Sequence, residues 1–462
     1  METTSLKISG KAYHALKEHL YPGDGKESVA IAFCGRHVHK DQNLLLAHKI
    51  INIPYDQCDI REPDFLKWPT SILIPHLNEA VKREWAVVKI HSHPTGYPAF
   101  SKTDDKSDID LFNSIYGWMD NEKNHASIIM LPDGAIFGHV VKPDLTFDAL
   151  RRISVAGDDL LIWDSDSDYL PLQEYALRTT QTLGKGTTEL LKKLKIGIVG
   201  CSGTGSPTIE QLVRLGVGSI VIVDPDKVEE KNLNRILNST MDDAKNGRYK
   251  VDVIKKSIDQ IGLGTKVISF KENIYDIMEI IDSLAQCDVL FGCVDSVDGR
   301  HLLNQISTFY LVPYFDLGVK ILADGKGGID QICGTVHYLQ PGGSSLRTRG
   351  VYNSEELRSA SMFRANRKEY EDQLRSGYIF NANVESPAVI SINMQLSSMA
   401  VNEFLARIHP YRYEHNSEFA ITRFSLTDGY IQKEGDGLTD EYLAKYIGRG
   451  DCNPKLNMPE LL

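Results

Sequence analysis

His91 and His93 stand two residues apart, with Ser101 and Asp104 following, in a chain of 462 residues. Two imidazoles and a carboxylate suit zinc, and three protein ligands leave a fourth tetrahedral position open for chemistry. The apolar run Trp85–Ile90 just upstream reads as a buried strand. Side chains on a strand repeat with period two, so His91 and His93 leave it on one face. The loop carrying Pro94, Gly96 and Pro98 turns the chain so that Asp104 can swing back. Glu27 is the candidate base. It directly precedes Ser28–Gly35, an apolar run that reads as a central strand. There it is placed to take a proton from the attacking water and pass it to a leaving amine. The Ser101 hydroxyl is the candidate donor to the oxyanion of a tetrahedral intermediate. His37, His39 and His48 lack such a context and are expected to be ordinary surface residues.

This set resembles the JAMM metalloprotease signature of MPN-domain isopeptidases. Its spacing matches that family's H-x-H-x7-S-x2-D at every fixed position. The resemblance implies zinc on His91, His93 and Asp104, Glu27 as base and Ser101 as oxyanion stabiliser. It implies an N-terminal MPN (JAB) α/β domain over about residues 1–155.

A second constellation begins at Leu194–Val199, a short apolar strand candidate. It runs into Gly200-Cys-Ser-Gly203-Thr-Gly205 and a helical pattern through Leu215, then into Ser219–Val223 and Asp224-Pro-Asp226. Strand, glycine-rich turn, helix, strand and acidic residue open a doubly wound nucleotide fold. The glycines let backbone approach phosphate, and Asp224 is placed for a ribose hydroxyl. Ser202 stands where a dinucleotide fingerprint wants its second glycine. Downstream come Asn232, Asn234, Arg235, Gly247 and Lys250, then the apolar run Cys287–Val294 ending in Asp295, with Arg300 beyond. Arginine, lysine and a carboxylate at strand ends suit a triphosphate with Mg²⁺ better than a hydride donor.

This ordered set resembles the ThiF/MoeB and ubiquitin-activating-enzyme adenylation family over about residues 173–409. The resemblance implies a Rossmann-like, doubly wound adenylation domain that binds ATP. Asp224 would hold the ribose, Asn232, Arg235 and Lys250 the phosphates, and Asp295 Mg²⁺, with Gly200, Gly203, Gly205 and Asp226 completing the site. Glu174–Arg178 resembles the helix whose arginine reaches the partner subunit's ATP, which implies a homodimer with Arg178 acting in trans. The reaction implied is adenylation of the C-terminal carboxylate of a Gly-ended, β-grasp ubiquitin-like protein, with a conjugating-enzyme-like protein as a further partner. Gly342–Gly350 resembles a crossover loop in which relatives carry two cysteines; here Ser345 and Thr348 stand at those places. Either the covalent step is lost, or Ser345 takes the acyl group as an oxyester. Cys333 is the nearest thiol and reads as core. The helical pattern after Asn383–Ile390, through Leu405, reads as structural.

Composition fits this α/β reading. Hydrophobic residues make up 42% and charged residues 24%, as in soluble globular proteins. A net charge of −11 without a basic stripe argues against nucleic-acid binding. No apolar stretch reaches the length of a membrane span, and the N-terminus has no signal core, so a cytoplasmic protein is expected. The seven cysteines show no paired spacing. The acidic stretch 156–172 reads as a linker, and 410–462 as a C-terminal extension with no assigned chemistry. Three function classes follow: a bifunctional enzyme that activates a modifier and matures or removes it, a sulfur-carrier activator with a peptidase domain, or a scaffold with an inactive domain. The fusion resembles prokaryotic ubiquitin-like systems, for which an antiphage role would fit.

Overall fold

Every residue of Val29–Cys34 is buried, as in a strand covered on both faces. The computed structural model describes residues 3–119, 121–165, 173–324, 326–375, 387–459 and 461. It divides into two units. One comprises Met1–Tyr169, Phe309–Leu311 and Lys445–Leu462; the other comprises Leu170–Thr308 and Val312–Ala444.

The elements of the first unit are β1 (Thr3–Ser9), α1 (Gly10–Leu20), β2 (Val29–His39), β3 (Gln42–Asn52), the short hairpin of β4 (Ile60–Arg61) and β5 (Leu66–Lys67), α2 (Ile74–Lys82), β6 (Ala86–Ser92), α3 (Lys102–Met119), β7 (His125–Met130), β8 (Ile136–Val141), β9 (Phe147–Ala149), β10 (Arg152–Ala156) and β11 (Leu160–Asp164). Nine strands form one mixed sheet in the order β11-β10-β1-β3-β2-β6-β7-β8-β9. Ala30, Ala32 and Cys34 of β2 join Tyr13, Leu16 and Leu20 of α1 in one apolar cluster. Val29, Ile31 and Phe33 join Leu77 of α2 and Leu111, Phe112 and Ile115 of α3 in another. The period of two along β2 thus sends alternate residues into the two cores. β11 lies inside the stretch expected as a linker. It pairs antiparallel with β10, and Arg152 Nε meets Asp164 Oδ1 at 2.5 Å. Residues 166–172 of that linker lie outside the described residues, as do 383–386.

The second unit contains α4 (Leu177–Lys193), β12 (Lys195–Val199), α5 (Gly205–Arg214), β13 (Ser219–Val223), α6 (Met241–Lys245), α7 (Lys250–Ile261), β14 (Lys266–Phe270), α8 (Met278–Ala285), β15 (Val289–Gly292), α9 (Val297–Tyr310) as far as Thr308, β16 (Tyr314–Ala323), β17 (Ile329–Leu339), α10 (Ser354–Ala365), α11 (Arg367–Arg375), α12 (Ile390–Ile408), β18 (Ile421–Ser425) and β19 (Tyr430–Glu434). Its sheet runs β14-β13-β12-β15-β16-β17-β18-β19. The pairs from β14 to β16 are parallel and those from β16 to β19 antiparallel. Strand order reverses between β12 and β15, which opens a crevice at the strands' carboxyl ends, where open α/β sheets bind ligands. The stretch expected as a C-terminal extension is divided: β18 and β19 complete this sheet, and Lys445–Leu462 belongs to the first unit. Among the described residues no helix is long and apolar enough to cross a membrane.

Candidate functional site

β6 ends in His91-Ser92, and α3 starts one residue after Ser101. The Ser101 amide donates to Asp104 Oδ2 at 2.7 Å, and the Asp104 amide donates to Ser101 Oγ at 3.1 Å. This reciprocal pairing caps α3 and fixes Asp104 in its first turn. His91 Nε2 lies 3.3 Å from Asp104 Oδ1, and His93 Nε2 lies 3.6 Å from Asp104 Oδ2. The three donor atoms lie within 4.8 Å of one another. Both ring nitrogens of His91 are buried without a hydrogen-bond partner. An orphaned imidazole beside a second imidazole and a carboxylate fits a zinc ion. His93 Nδ1 is 2.8 Å from the Tyr97 carbonyl, which orients its Nε2 toward Asp104.

Burial pushes His91 down to about 4, so it is neutral and ligand-ready near neutral pH. Burial alone would raise Asp104, but the close approach of the His91 and His93 rings outweighs it and holds the carboxyl well below the usual range. Glu27 precedes β2, which pairs Val29 with His91. Burial pushes its carboxyl up to about 7, against an opposing pull from His93. Arg61 holds this loop: its Nε donates to the Glu27 carbonyl at 2.8 Å and its Nη2 to Ser28 Oγ at 2.8 Å.

The other predicted histidines differ from expectation. His37 is fully buried, with Nδ1 3.1 Å from Asp451. His48 Nδ1 lies 2.6 Å from the Ile447 carbonyl, and His39 is partly buried. His37 and His48 are not ordinary surface residues, because the C-terminal segment packs on this strand pair.

In the second unit a cavity of about 750 Å³ opens at the crevice between β12 and β15. The glycine turn is its floor. Gly200 has φ of +94°, and a Cβ there would lie 2.4 Å from the Cys293 carbonyl oxygen. A Cβ on Gly203 would lie 2.4 Å from Asn393 Nδ2. Asp224, buried at the end of β13, accepts from the Cys201 amide at 2.7 Å and from the Asp226 amide at 2.9 Å. Burial raises its carboxyl although Lys250 opposes the shift. Lys250 Nζ lies 2.7 Å from Asp226 Oδ2 and 3.6 Å from Asp224 Oδ1. Asn232 is buried, and its Oδ1 accepts from the Glu229 amide at 3.1 Å. Arg235 Nη1 donates to the Lys231 carbonyl at 2.9 Å. Asp295 is exposed and makes no hydrogen bond or ion pair among the described residues, a disposition that fits a hard divalent cation.

Gly200, Gly203, Asp224, Asp226, Asn232, Arg235, Lys250 and Asp295 all line this cavity. Gly205 lies beneath it, where a Cβ would come 1.9 Å from the Gly200 carbonyl oxygen. Ser345 does not line it. That side chain is buried, donates to Asp440 Oδ2 at 2.6 Å and accepts from the Thr348 amide at 3.1 Å. Ser345 and Thr348 are therefore partners in a local cap. Cys333 lies in β17, partly buried. Arg178 is exposed on α4, away from the cavity of its own chain. The sequence reading missed Asn393 and Tyr275, which line the cavity, and it read α12 as structural only. A buried asparagine within an apolar helical pattern was the available signal for Asn393.

Residues 175–424 match the ThiF family. Adenylyltransferase and sulfurtransferase UBA4 of Meyerozyma guilliermondii is 33% identical over 132 residues, 28% of this chain and 30% of that protein. Ubiquitin-like modifier-activating enzyme 5 of Culex quinquefasciatus is 28% identical over 165 residues, 33% of this chain and 39% of that protein. Among solved structures, E. coli MccB with MccA-N7isoASN aligns with a TM-score of 0.45 and 17% identity, covering 58% of this chain and 74% of that one. The chain thus spans 30% and 39% of the length of these two curated relatives. The family match takes in more than half of the sequence and includes every residue that lines the large cavity: the chain belongs to the ThiF family.

Proposed function

We propose that the second unit adenylates the C-terminal carboxylate of a ubiquitin-like protein and that the first unit is a zinc-dependent isopeptidase that matures or removes it. The observation that carries the first part is the convergence of Gly200, Asp224, Asn232, Arg235, Lys250 and Asp295 on one cavity at the reversal of strand order. In the reaction a carboxylate oxygen attacks the α-phosphorus of ATP. The bond to pyrophosphate breaks, and an acyl-adenylate forms. Asp224 would hold the ribose, and the glycine turn would receive the phosphates. Arg235 and Lys250 would neutralise charge that grows on the departing pyrophosphate. Lys250 must turn from Asp226 toward phosphate to do so, and Asp224 keeps it within reach. Mg²⁺ on Asp295 would supply further charge neutralisation. Arg178 would complete the site from a second copy of the chain.

In the first unit His91, His93 and Asp104 would hold zinc, which supplies a Lewis acid for amide hydrolysis. Glu27, poised near neutrality, would take the proton from water and deliver it to the leaving amine. Ser101 Oγ accepts from the Asp104 amide, so its own proton is available to an oxyanion.

The relative named as an adenylyltransferase and sulfurtransferase supports a second reading, in which the activated tail receives sulfur. ATP–pyrophosphate exchange that depends on a Gly-ended β-grasp protein is expected under both readings. Its absence, or its persistence in Lys250→Met, would overturn the adenylation reading. Transfer of the acyl group to a conjugating-enzyme thiol supports the modifier pathway, whereas a thiocarboxylate product supports sulfur transfer.

A further inference from the structure

Arg36 of β2 lines a second cavity of the first unit, about 310 Å³ in volume, which shares no lining residue with the His91–His93–Asp104 cluster. Neutral acceptors anchor its guanidinium. Nε donates to the Glu84 carbonyl at 2.9 Å and Nη1 to the Asn124 carbonyl at 2.7 Å. Nη2 is buried and has no hydrogen-bond partner. The neighbouring carboxylates are engaged elsewhere. Glu84 pairs with Lys123 at 2.8 Å. Asp451 takes His37 at 3.1 Å, the Tyr310 hydroxyl at 3.0 Å and Lys455 at 2.7 Å. A guanidinium cannot shed its proton, so a buried one with an unmade donor and no carboxylate of its own is costly.

The rest of the wall points the same way. Arg449 lines the cavity beside Arg36. Backbone contact holds the two segments together: the Asp451 amide donates to the Arg36 carbonyl at 2.8 Å, and Arg36 bridges Gly450. A Cβ on Gly35 would lie 2.3 Å from the Arg449 carbonyl oxygen, so glycine permits this approach. Asn43 also lines the cavity, and its Oδ1 is a buried acceptor without a donor. Glu122 is an exposed carboxylate that also lines the cavity and opposes an anion weakly, being solvated.

We propose that this cavity binds a small oxyanion, a phosphate or carboxylate group, between the guanidinium groups of Arg36 and Arg449. Guanidinium groups match the planar oxygens of such ligands and bind them with charge-assisted hydrogen bonds. Hydrogen phosphate would also offer an O–H to Asn43 Oδ1, which acetate cannot.

The test is calorimetric titration of the full chain with inorganic phosphate and with acetate at constant ionic strength. Both probes should bind. Arg449→Ala should weaken both by about tenfold or more. Asn43→Ala should weaken phosphate and spare acetate, and Glu122→Gln should strengthen both. The titrations are run on zinc-free protein with the nucleotide site filled by one equivalent of a non-hydrolysable ATP analogue, which separates this site from the two others. Arg36 also staples two backbone segments, so Arg449→Ala carries the test. Failure of both probes to bind under these conditions, or binding that survives Arg449→Ala, overturns the proposal.

Discussion

At the scale of single residues, Glu27 is where the proposed catalytic role would cost stability. Burial raises its pKa from 4.5 to about 7 in the folded protein without zinc. Between those values the folded chain keeps a proton that the unfolded chain has released. Stability therefore falls as pH rises through this window, and the full cost stands above it. A shift of this size is worth roughly 3 kcal/mol. Glu27→Gln removes the charge and keeps the shape. In zinc-free protein the variant should exceed wild type by up to about 3 kcal/mol near pH 8 in urea unfolding, and match it near pH 4. Equal stabilities at both pH values would show that the carboxylate is not held at such a cost. Residue type and spacing made Glu27, His91, His93, Ser101 and Asp104 legible as a group, because ligand and base chemistry constrain both. His37 was not legible. Its partner Asp451 is 414 positions away, and no local pattern announces a contact at that separation.

At the scale of elements, glycines separate the turns that function needs from those it does not. Gly205 opens α5 under the Gly200 turn, where an added Cβ would come 1.9 Å from backbone oxygen. Backbone cannot yield as a side-chain tip can, so Gly205→Ala should destabilise the second unit by more than about 1 kcal/mol and weaken ATP binding. Gly186, in α4, has nothing within 4 Å of such a Cβ. Gly186→Ala should be neutral or stabilise by up to about 1 kcal/mol, since alanine loses less entropy in a helix. Thermal melts and nucleotide titration of the two variants check this; equal effects would mean that the turn tolerates bulk. The strands that flank the glycine turn were legible because apolar runs, punctuated by glycine and aspartate, have few other readings. β11 was not, since acidic residues surround it and its pairing with β10 is a tertiary event. The loop of Ser345 was legible only as a resemblance. Its side chain is committed to Asp440, which lies in a segment whose sequence carries no regular pattern.

For the whole molecule, the two sites draw their residues from separate units. His91, His93 and Asp104 lie within Met1–Tyr169, and every residue lining the large cavity lies within the second unit. The chemistry of each is therefore expected to respond to substitution separately. His91→Ala removes one of the three proposed zinc ligands; it should abolish zinc retention and cleavage of a C-terminally extended modifier while ATP–pyrophosphate exchange persists. Lys250→Met keeps the aliphatic stem beside buried Asp224 and removes the charge; it should lower exchange by about a hundredfold or more while zinc content is unchanged. Circular dichroism of both variants separates loss of chemistry from loss of fold. The expectation depends on charge neutralisation at Lys250 and ligation at His91 acting over contact distances, where each is strong, since solvent and salt screen charges beyond about 10 Å. If either substitution silenced both activities in a folded protein, the sites would be coupled, and maturation and activation would be steps of one cycle rather than two independent reactions on one chain.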